Sequence, residues 1–413
     1  MPRTCPLPPQ TSTARPIVLI VLTPALPQAR PIVPRLPVVL ILGTTQTLAW
    51  ASSVYLPAVL AGPLAADLHV PTDWVFAAVS AALLLSALLS PALGRSIDRY
   101  GGRAILAGSN LVFAAGLLLL ATASTLAGAA AAWALIGIGM AAGLYEAAFA
   151  TVAALYGREA RGAITGITLI GGFASTIGWP LTTYLIAAYG WRDACLTWAA
   201  LHLLVGLPLN LLLPRAATAP SREPPPAPPA GAVPARPMIL LIVAFTAVAF
   251  VTSAMAAHLP RLLVMAGMDR SAAIAAAALV GPAQVAARLA EFGLLRRLSA
   301  RNMARLAASL HPAGAAALAL VGAPAALVFT LLHGAGNGML TIARGILPLA
   351  LFGPDRYGAR AGLLAAPARF GQAAAPLLFG LLLDRAGLFP ALLLSFTLGT
   401  LATLALTALP RAS

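Results

Sequence analysis

Along most of its length the chain repeats one pattern: an apolar run, then a short break marked by arginine, proline or glycine. The runs are about 20 residues or longer, the length a helix needs to cross a hydrocarbon core of about 30 Å. Twelve spans are predicted, near 36–60, 74–94, 104–124, 129–155, 162–187, 194–213, 238–259, 271–292, 304–322, 325–350, 361–383 and 388–408. The pattern is that of an all-α polytopic membrane protein.

Between Pro214 and Pro237 the chain reads PRAATAPSREPPPAPPAGAVPARP, with nine prolines. Such a stretch cannot span; it is expected as an extended, semi-rigid linker. Six spans fall on each side of it, so two six-helix bundles are expected, 36–213 and 238–408, joined by a cytoplasmic linker at 214–237. Residues 1–35 are Pro-rich, and their apolar run from Ile17 to Leu22 is cut by Pro24 and too short to cross. They read as a cytoplasmic N-terminal tail rather than a signal peptide, and a mis-assigned start codon explains them equally well. Residues 409–413 form a short C-terminal tail.

Composition narrows the function. Of the 413 residues 60% are hydrophobic and 9% are charged, against about a quarter charged in soluble domains, which excludes a water-soluble fold. All 26 basic residues are arginine. Without lysine there is no Walker-type phosphate loop and no Schiff base to a cofactor. Two cysteines, Cys5 and Cys195, make no disulfide framework, and the five histidines have no metal-ligand spacing. No cofactor and no metal is therefore expected.

The arginines set orientation. With both termini inside, nineteen fall in cytoplasmic segments and four, Arg192, Arg261, Arg270 and Arg385, in outer loops. Arg288, Arg344 and Arg369 remain inside spans. The net charge of +15 then reflects loops facing an anionic inner leaflet rather than nucleic acid. The Ala- and Arg-rich, lysine-free composition suits a GC-rich bacterium, and hence its cytoplasmic (inner) membrane.

Between spans 2 and 3 the chain reads GRSIDRYGGR. Gly94, Asp98, Arg99, Gly101 and Arg103 fit the G-x-x-x-D-R-x-G-x-R loop of the major facilitator superfamily, which the chain resembles over 36–408. The spacing has a physical rationale: Gly94 permits close helix contact, Asp98 can face a helix N-terminus, and the arginines hold the loop at the surface. The resemblance implies two six-helix halves rocking about a central site, with spans 1, 4, 7 and 10 lining it. It also implies a gating role for Asp98 and Arg99, Arg103 competing as a topological anchor. The halves echo each other, GIGM at 137–140 recurring as GNGM at 336–339, which superimposes Tyr145 on Arg344. Departures from the family pattern limit the transfer. Trp133 stands where an arginine is usual in span 4, and Gly162, Gly171 and Gly178-Trp179-Pro180 match an antiporter motif only in part.

Ionisable residues inside a membrane are costly and mark function by default. Counted along their helices, Glu146 lies about 16 Å deep, Arg344 and Arg369 about 13 Å, and Gln46 about 15 Å. Glu146, Arg344 and Arg369 are expected as one charge cluster, with Glu146 the proton carrier; a static ion pair bracing spans 4 and 10 is the competing reading. Gln46, Trp50, Ser53 and Pro57 share one face of span 1 with Tyr55 off it, and Gln46 and Trp50 are expected to touch substrate. On span 10, His333, Asn337 and Arg344 share a face, and Asn337 is the stronger candidate. Arg288 and Glu291 are expected to pair along span 8 as a structural element.

Arginine's planar fork suits a carboxylate or phosphate. The expected function is secondary active transport of a small organic anion or zwitterion by alternating access, coupled to protons, in a monomer embedded in the bilayer. Proton-linked efflux of amphipathic drugs is the alternative. An enzyme would need a metal cluster or a nucleophile–base pair within the spans, and a non-transporting sensor a signalling appendage.

Overall fold

The structure, a computed structural model, describes residues 34–215, 235–295 and 297–410. The expected tail at 1–33, residues 216–234 of the expected linker and Arg296 lie outside them, as do Arg3, Arg15, Arg30, Arg222 and Arg411 among the arginines used for orientation.

The described residues are nearly all helical. Span 1 is α1 (Arg35–Ala51) and α2 (Pro57–Asp67), span 2 is α3 (Thr72–Tyr100) and span 3 is α4 (Gly102–Ala121). Span 4 is α5 (Leu126–Gly143) and α6 (Tyr145–Tyr156); span 5 is α7 (Arg161–Gly171) and α8 (Ala174–Tyr189). Span 6 comprises α9 (Trp191–Leu201), a π-helical turn and α10 (Leu207–Leu211). In the second half, span 7 is α11 (Ala235–Met265), and span 8 is α12 (Arg270–Ala278) with α13 (Val280–Phe292). Spans 9 to 12 are α14 (Ala300–Val321), α15 (Ala326–Phe352), α16 (Tyr357–Ala386) and α17 (Leu388–Thr407). Among the described residues ten helical stretches are by themselves long and apolar enough to cross a bilayer. The other two expected spans are hidden in that figure: 126–189 holds spans 4 and 5 in one run, and span 1 is broken into pieces too short to qualify.

Local chemistry sets the ends. Thr125, Asp269 and Ser299 cap α5, α12 and α14 by accepting backbone N–H bonds from Gly128, from Ser271 and Ala272, and from Asn302. Gly190 (φ 88) and Gly387 (φ 84) make the turns into spans 6 and 12, one at the same place in each half. The packing repeats as well. Spans 1 and 5, 2 and 4, 3 and 4, and 3 and 6 pack together, and so do 7 and 11, 8 and 10, 9 and 10, and 9 and 12. Each half closes its own apolar core, one built around Phe113, Trp133 and Trp198, the other around Phe245, Met303, Phe329 and Phe379. Large apolar side chains such as Leu88, Leu204, Leu320 and Leu404 face outward, as a lipid-exposed surface requires.

The halves meet along α3 and α16, and where α6 and α7 approach α13, α15 and α16. These are the ends of the spans nearest the Asp98 loop. At the opposite ends α2, α8 and α12 pack only within their own half to any extent.

Candidate functional site

Three helix breaks shape the centre of the protein. In span 1 the helix stops at Ala51 and restarts at Pro57, while the Ser52 and Ser53 hydroxyls donate back to Leu48 and Ala49. The break turns Tyr55 toward the cavity beside Trp50 and Val54, although a continuous helix would have placed it off that face. In span 4, Leu144 is extended (φ −83, ψ −174), so α6 starts afresh and Glu146 falls in its first turn, where the helix N-terminus favours a carboxylate. In span 5 the break follows Gly171-Gly172. Irregular backbone of this kind is tolerated at membrane depth where it lines a cavity.

A cavity of about 150 Å³ lies between the halves, lined from spans 1, 2, 4, 5, 7, 8, 10 and 11. The first half supplies an aromatic wall. Trp50 and Tyr145 have ring centroids 5.1 Å apart, Tyr145 and Phe149 stack at 5.3 Å and 10°, and Trp50 and Tyr55 lie 6.1 Å apart. The second half supplies cations and polar groups: Arg288, Arg344 and Arg369, with Gln284, Asn337 and Gln372.

Of the expected cluster, Glu146 and Arg369 form an ion pair at 2.8 Å, joining spans 4 and 11 rather than 4 and 10. The other terminal nitrogen of Arg369 donates to the Ser86 and Ser90 hydroxyls on α3. Arg344 lines the same cavity but makes no ion pair among the described residues, and its Nε is buried without a hydrogen-bond partner.

Two expectations, for Gln46 and for the Arg288–Glu291 pair, are corrected, and Asn337 rather than His333 is the span 10 residue at the cavity, in line with its being the stronger candidate. Gln46 is fully buried and does not line the cavity; its Nε2 donates to the Gly143 carbonyl at 2.7 Å, satisfying an acceptor freed by the break in span 4. Arg288 makes no ion pair with Glu291; it reaches the cavity wall instead, with only long hydrogen bonds (3.4 Å) to Gln284 and Gly338, and its Nη1 is buried and unpartnered. His333 turns from the cavity to meet His311, Nδ1 to Nδ1 at 3.0 Å, whereas Asn337 does line the cavity and accepts from Thr252. Sequence spacing missed Arg288 at the cavity because its three-residue separation from Glu291 points to a pair along one face of span 8. The glycine pair of span 5 was the available signal: a Cβ at Gly172 would strike Arg288 Nη1, and one at Gly171 would strike the Tyr145 hydroxyl.

At the end where the halves meet, both Asp98 oxygens accept backbone N–H bonds, from Gly358 and Ala359 at 2.8 Å each. These are the second and third residues of α16, so the carboxylate caps a helix of the opposite half, as a negative charge at a helix N-terminus should. Gly94 lies flat on Gly358, and a Cβ at either position would strike the other's carbonyl oxygen. Gly101 adopts φ 82 and ends α3. Arg99 stacks over Tyr100 at 5.1 Å and, like Arg103, makes no hydrogen bond across the halves among the described residues. A second bond across this end runs from Arg161 on α7 to the Leu298 carbonyl.

No curated protein matches the chain. Solved structures do, at identities that establish the fold alone. The human organic anion transporter MFSD10 (TETRAN) is 18% identical with a TM-score of 0.72, covering 91% of this chain and 100% of that one. The Escherichia coli fucose:proton symporter is 15% identical at 0.72, covering 90% and 98%. A proton:xylose symporter solved with 6-bromo-6-deoxy-D-glucose is 12% identical at 0.71, covering 90% and 94%. The family model of the Major Facilitator Superfamily matches residues 41–332, and with twelve spans in two repeated halves around a central cavity this chain is a multi-pass membrane protein belonging to that superfamily.

Proposed function

We propose that the protein is a proton-coupled secondary transporter of a small organic anion or zwitterion, working by alternating access in a bacterial cytoplasmic membrane with both termini inside. The observation that carries this reading is a pair of guanidinium groups in the cavity wall, Arg288 and Arg344, each with one buried donor nitrogen, Nη1 and Nε respectively, that has no partner. Unmet charged donors are costly to bury, and an anion is the ligand that satisfies them. With Glu146 ionised, three arginines face one carboxylate, so the site attracts negative charge. The fold is shared with proteins named as an organic anion transporter and as proton symporters.

With the Asp98 loop on the cytoplasmic side, the state described is closed toward the cytoplasm and its cavity belongs to the outer face. Rocking to the other state has to separate α3 from α16, undo the Asp98 cap and release Arg369 from Glu146, Ser86 and Ser90. Protonation of Glu146 removes the charge that holds Arg369, so proton uptake and release of the halves are one event. An arriving anion offers Arg369 a substitute partner. Proton-linked efflux of amphipathic drugs has the aromatic wall in its favour, but the excess of arginines opposes a cationic cargo.

The test is thermal stability of the purified protein against carboxylates, phosphates and lipophilic cations. A ligand at about 100 times its Kd stabilises by about 2.7 kcal/mol. Stabilisation by anions that disappears in Arg344→Gln is expected; stabilisation by lipophilic cations alone would replace this reading with efflux.

A further inference from the structure

Resting on the anion reading, the cavity carries more detail about the cargo. Its lining contains three buried polar atoms without partners: Arg288 Nη1, Arg344 Nε and Trp50 Nε1. All three are donors. The buried groups able to accept that are left unpartnered among the described residues, on Gln46, Asn210, Thr246, Glu291 and His311, belong to side chains outside the lining. A ligand that presents acceptors at its polar end therefore suits these donors. A carboxylate does so, with two oxygens and about four lone-pair sites, whereas an amide or a polyol would bring donors of its own.

The aromatic wall fixes what adjoins that end. Consecutive glycines on span 5 seat the two kinds of group side by side, the Tyr145 hydroxyl against Gly171 and the Arg288 guanidinium against Gly172. From Tyr145 the rings continue without interruption, to Trp50 at 5.1 Å on one side and to Phe149 at 5.3 Å and 10° on the other. Trp50 belongs to both sets, as an unpartnered donor and as part of the wall. A ligand whose carboxylate lies on Arg288 thus has its next atoms beside the aromatic side chains of Tyr145, Trp50 and Phe149.

We infer that the cargo is an aryl carboxylate, its carboxylate held by Arg288 and Arg344 and its ring stacked on the Trp50–Tyr145–Phe149 wall.

The experiment is calorimetric binding to the purified full-length protein with three probes: benzoate, cyclohexanecarboxylate and benzamide. Cyclohexanecarboxylate is the more apolar acid, so simple burial would favour it, while stacking favours benzoate. Benzoate is expected to bind about three- to tenfold more tightly than cyclohexanecarboxylate, the range of one aromatic pair. Benzamide is expected to bind at least about tenfold more weakly than benzoate. Tyr145→Leu should erase the preference between the acids, and Tyr145→Phe, which keeps the ring, should retain it. Equal binding of the two acids by the wild-type protein would overturn the aryl assignment and leave the anion reading standing. Benzamide binding as well as benzoate, or neither acid binding, would overturn both.

Discussion

Glu146 and Arg369 stand on opposite halves of the protein and meet at 2.8 Å, Oε2 to Nη2. The other ion pairs among the described residues, Arg35–Glu159, Arg192–Asp67 and Arg261–Asp384, each stay within one half. Arg369 is 6% exposed, and both of its terminal nitrogens are held by residues of the first six spans. Glu146 is 34% exposed, toward the cavity, so the pair is only part-buried; removing its carboxylate leaves the buried Arg369 guanidinium without its counter-charge. Under the coupling proposed above, this is the contact that a proton on Glu146 would release.

Glu146→Gln keeps the shape and removes the titratable charge. Uptake into proteoliposomes driven by a pH gradient should fall to background, while exchange of labelled for unlabelled benzoate at equal pH persists. Retained gradient-driven uptake would remove Glu146 from the coupling path.

Asp98→Asn should weaken closure at its end of the protein. The neutral amide accepts less strongly from the α16 N-terminus, a loss of about 1–2 kcal/mol at a helix cap. With Cys5 and Cys195 replaced by serine, a single reporter cysteine introduced by Ala361→Cys should then react about five- to thirtyfold faster with a polar maleimide applied from the Asp98 side, if that energy is the difference between closed and open.

Gly94→Val should abolish transport without preventing insertion, because its side chain strikes the Gly358 carbonyl and keeps α3 from α16. Gly108→Ala is the control: nothing lies within 4 Å of a Cβ there. Disulfide trapping between engineered cysteines on α3 and α16 should be lost in the first variant and kept in the second.

Arg288→Gln and Arg344→Gln should each weaken anion binding by about ten- to hundredfold, the worth of one charged hydrogen bond. Gly172→Ala, which changes no charge, should weaken it too by displacing the Arg288 guanidinium. Titration calorimetry with benzoate checks all three, and unchanged affinity in Gly172→Ala would show that Arg288 binds from elsewhere.

Gln46→Leu should leave benzoate affinity unchanged and lower thermal stability. It strands the Gly143 carbonyl, an unsatisfied buried acceptor costing about 1–3 kcal/mol, partly offset because it also removes Gln46 Oε1, itself buried and unpartnered. A loss of affinity with stability intact would return Gln46 to the substrate site.

Much of the site was legible one residue at a time. Depth along a helix singled out Glu146, Arg344 and Arg369, since an ionisable group is expensive in lipid wherever its span lies. Helical spacing put Trp50 and Asn337 on faces that do line the cavity. Spacing failed where the helix it assumed was interrupted: the break at 52–56 brought Tyr55 in, and the break at Leu144 gave Gln46 a carbonyl to satisfy.

By itself the sequence determined the number of spans, their grouping in two sixes and the loop carrying Asp98. Each of these follows from local matters, the length of an apolar run, a proline-dense interval and a ten-residue motif. Which arginine would be paired was decided only in the tertiary structure. Arg369 finds Glu146, Ser86 and Ser90 because α16 crosses onto α3 and α6, while Arg288 and Arg344, on helices that face the cavity, find no such partner. Pairing depends on how two halves dock, and residues more than 200 positions apart carry no mark of it in their own neighbourhoods.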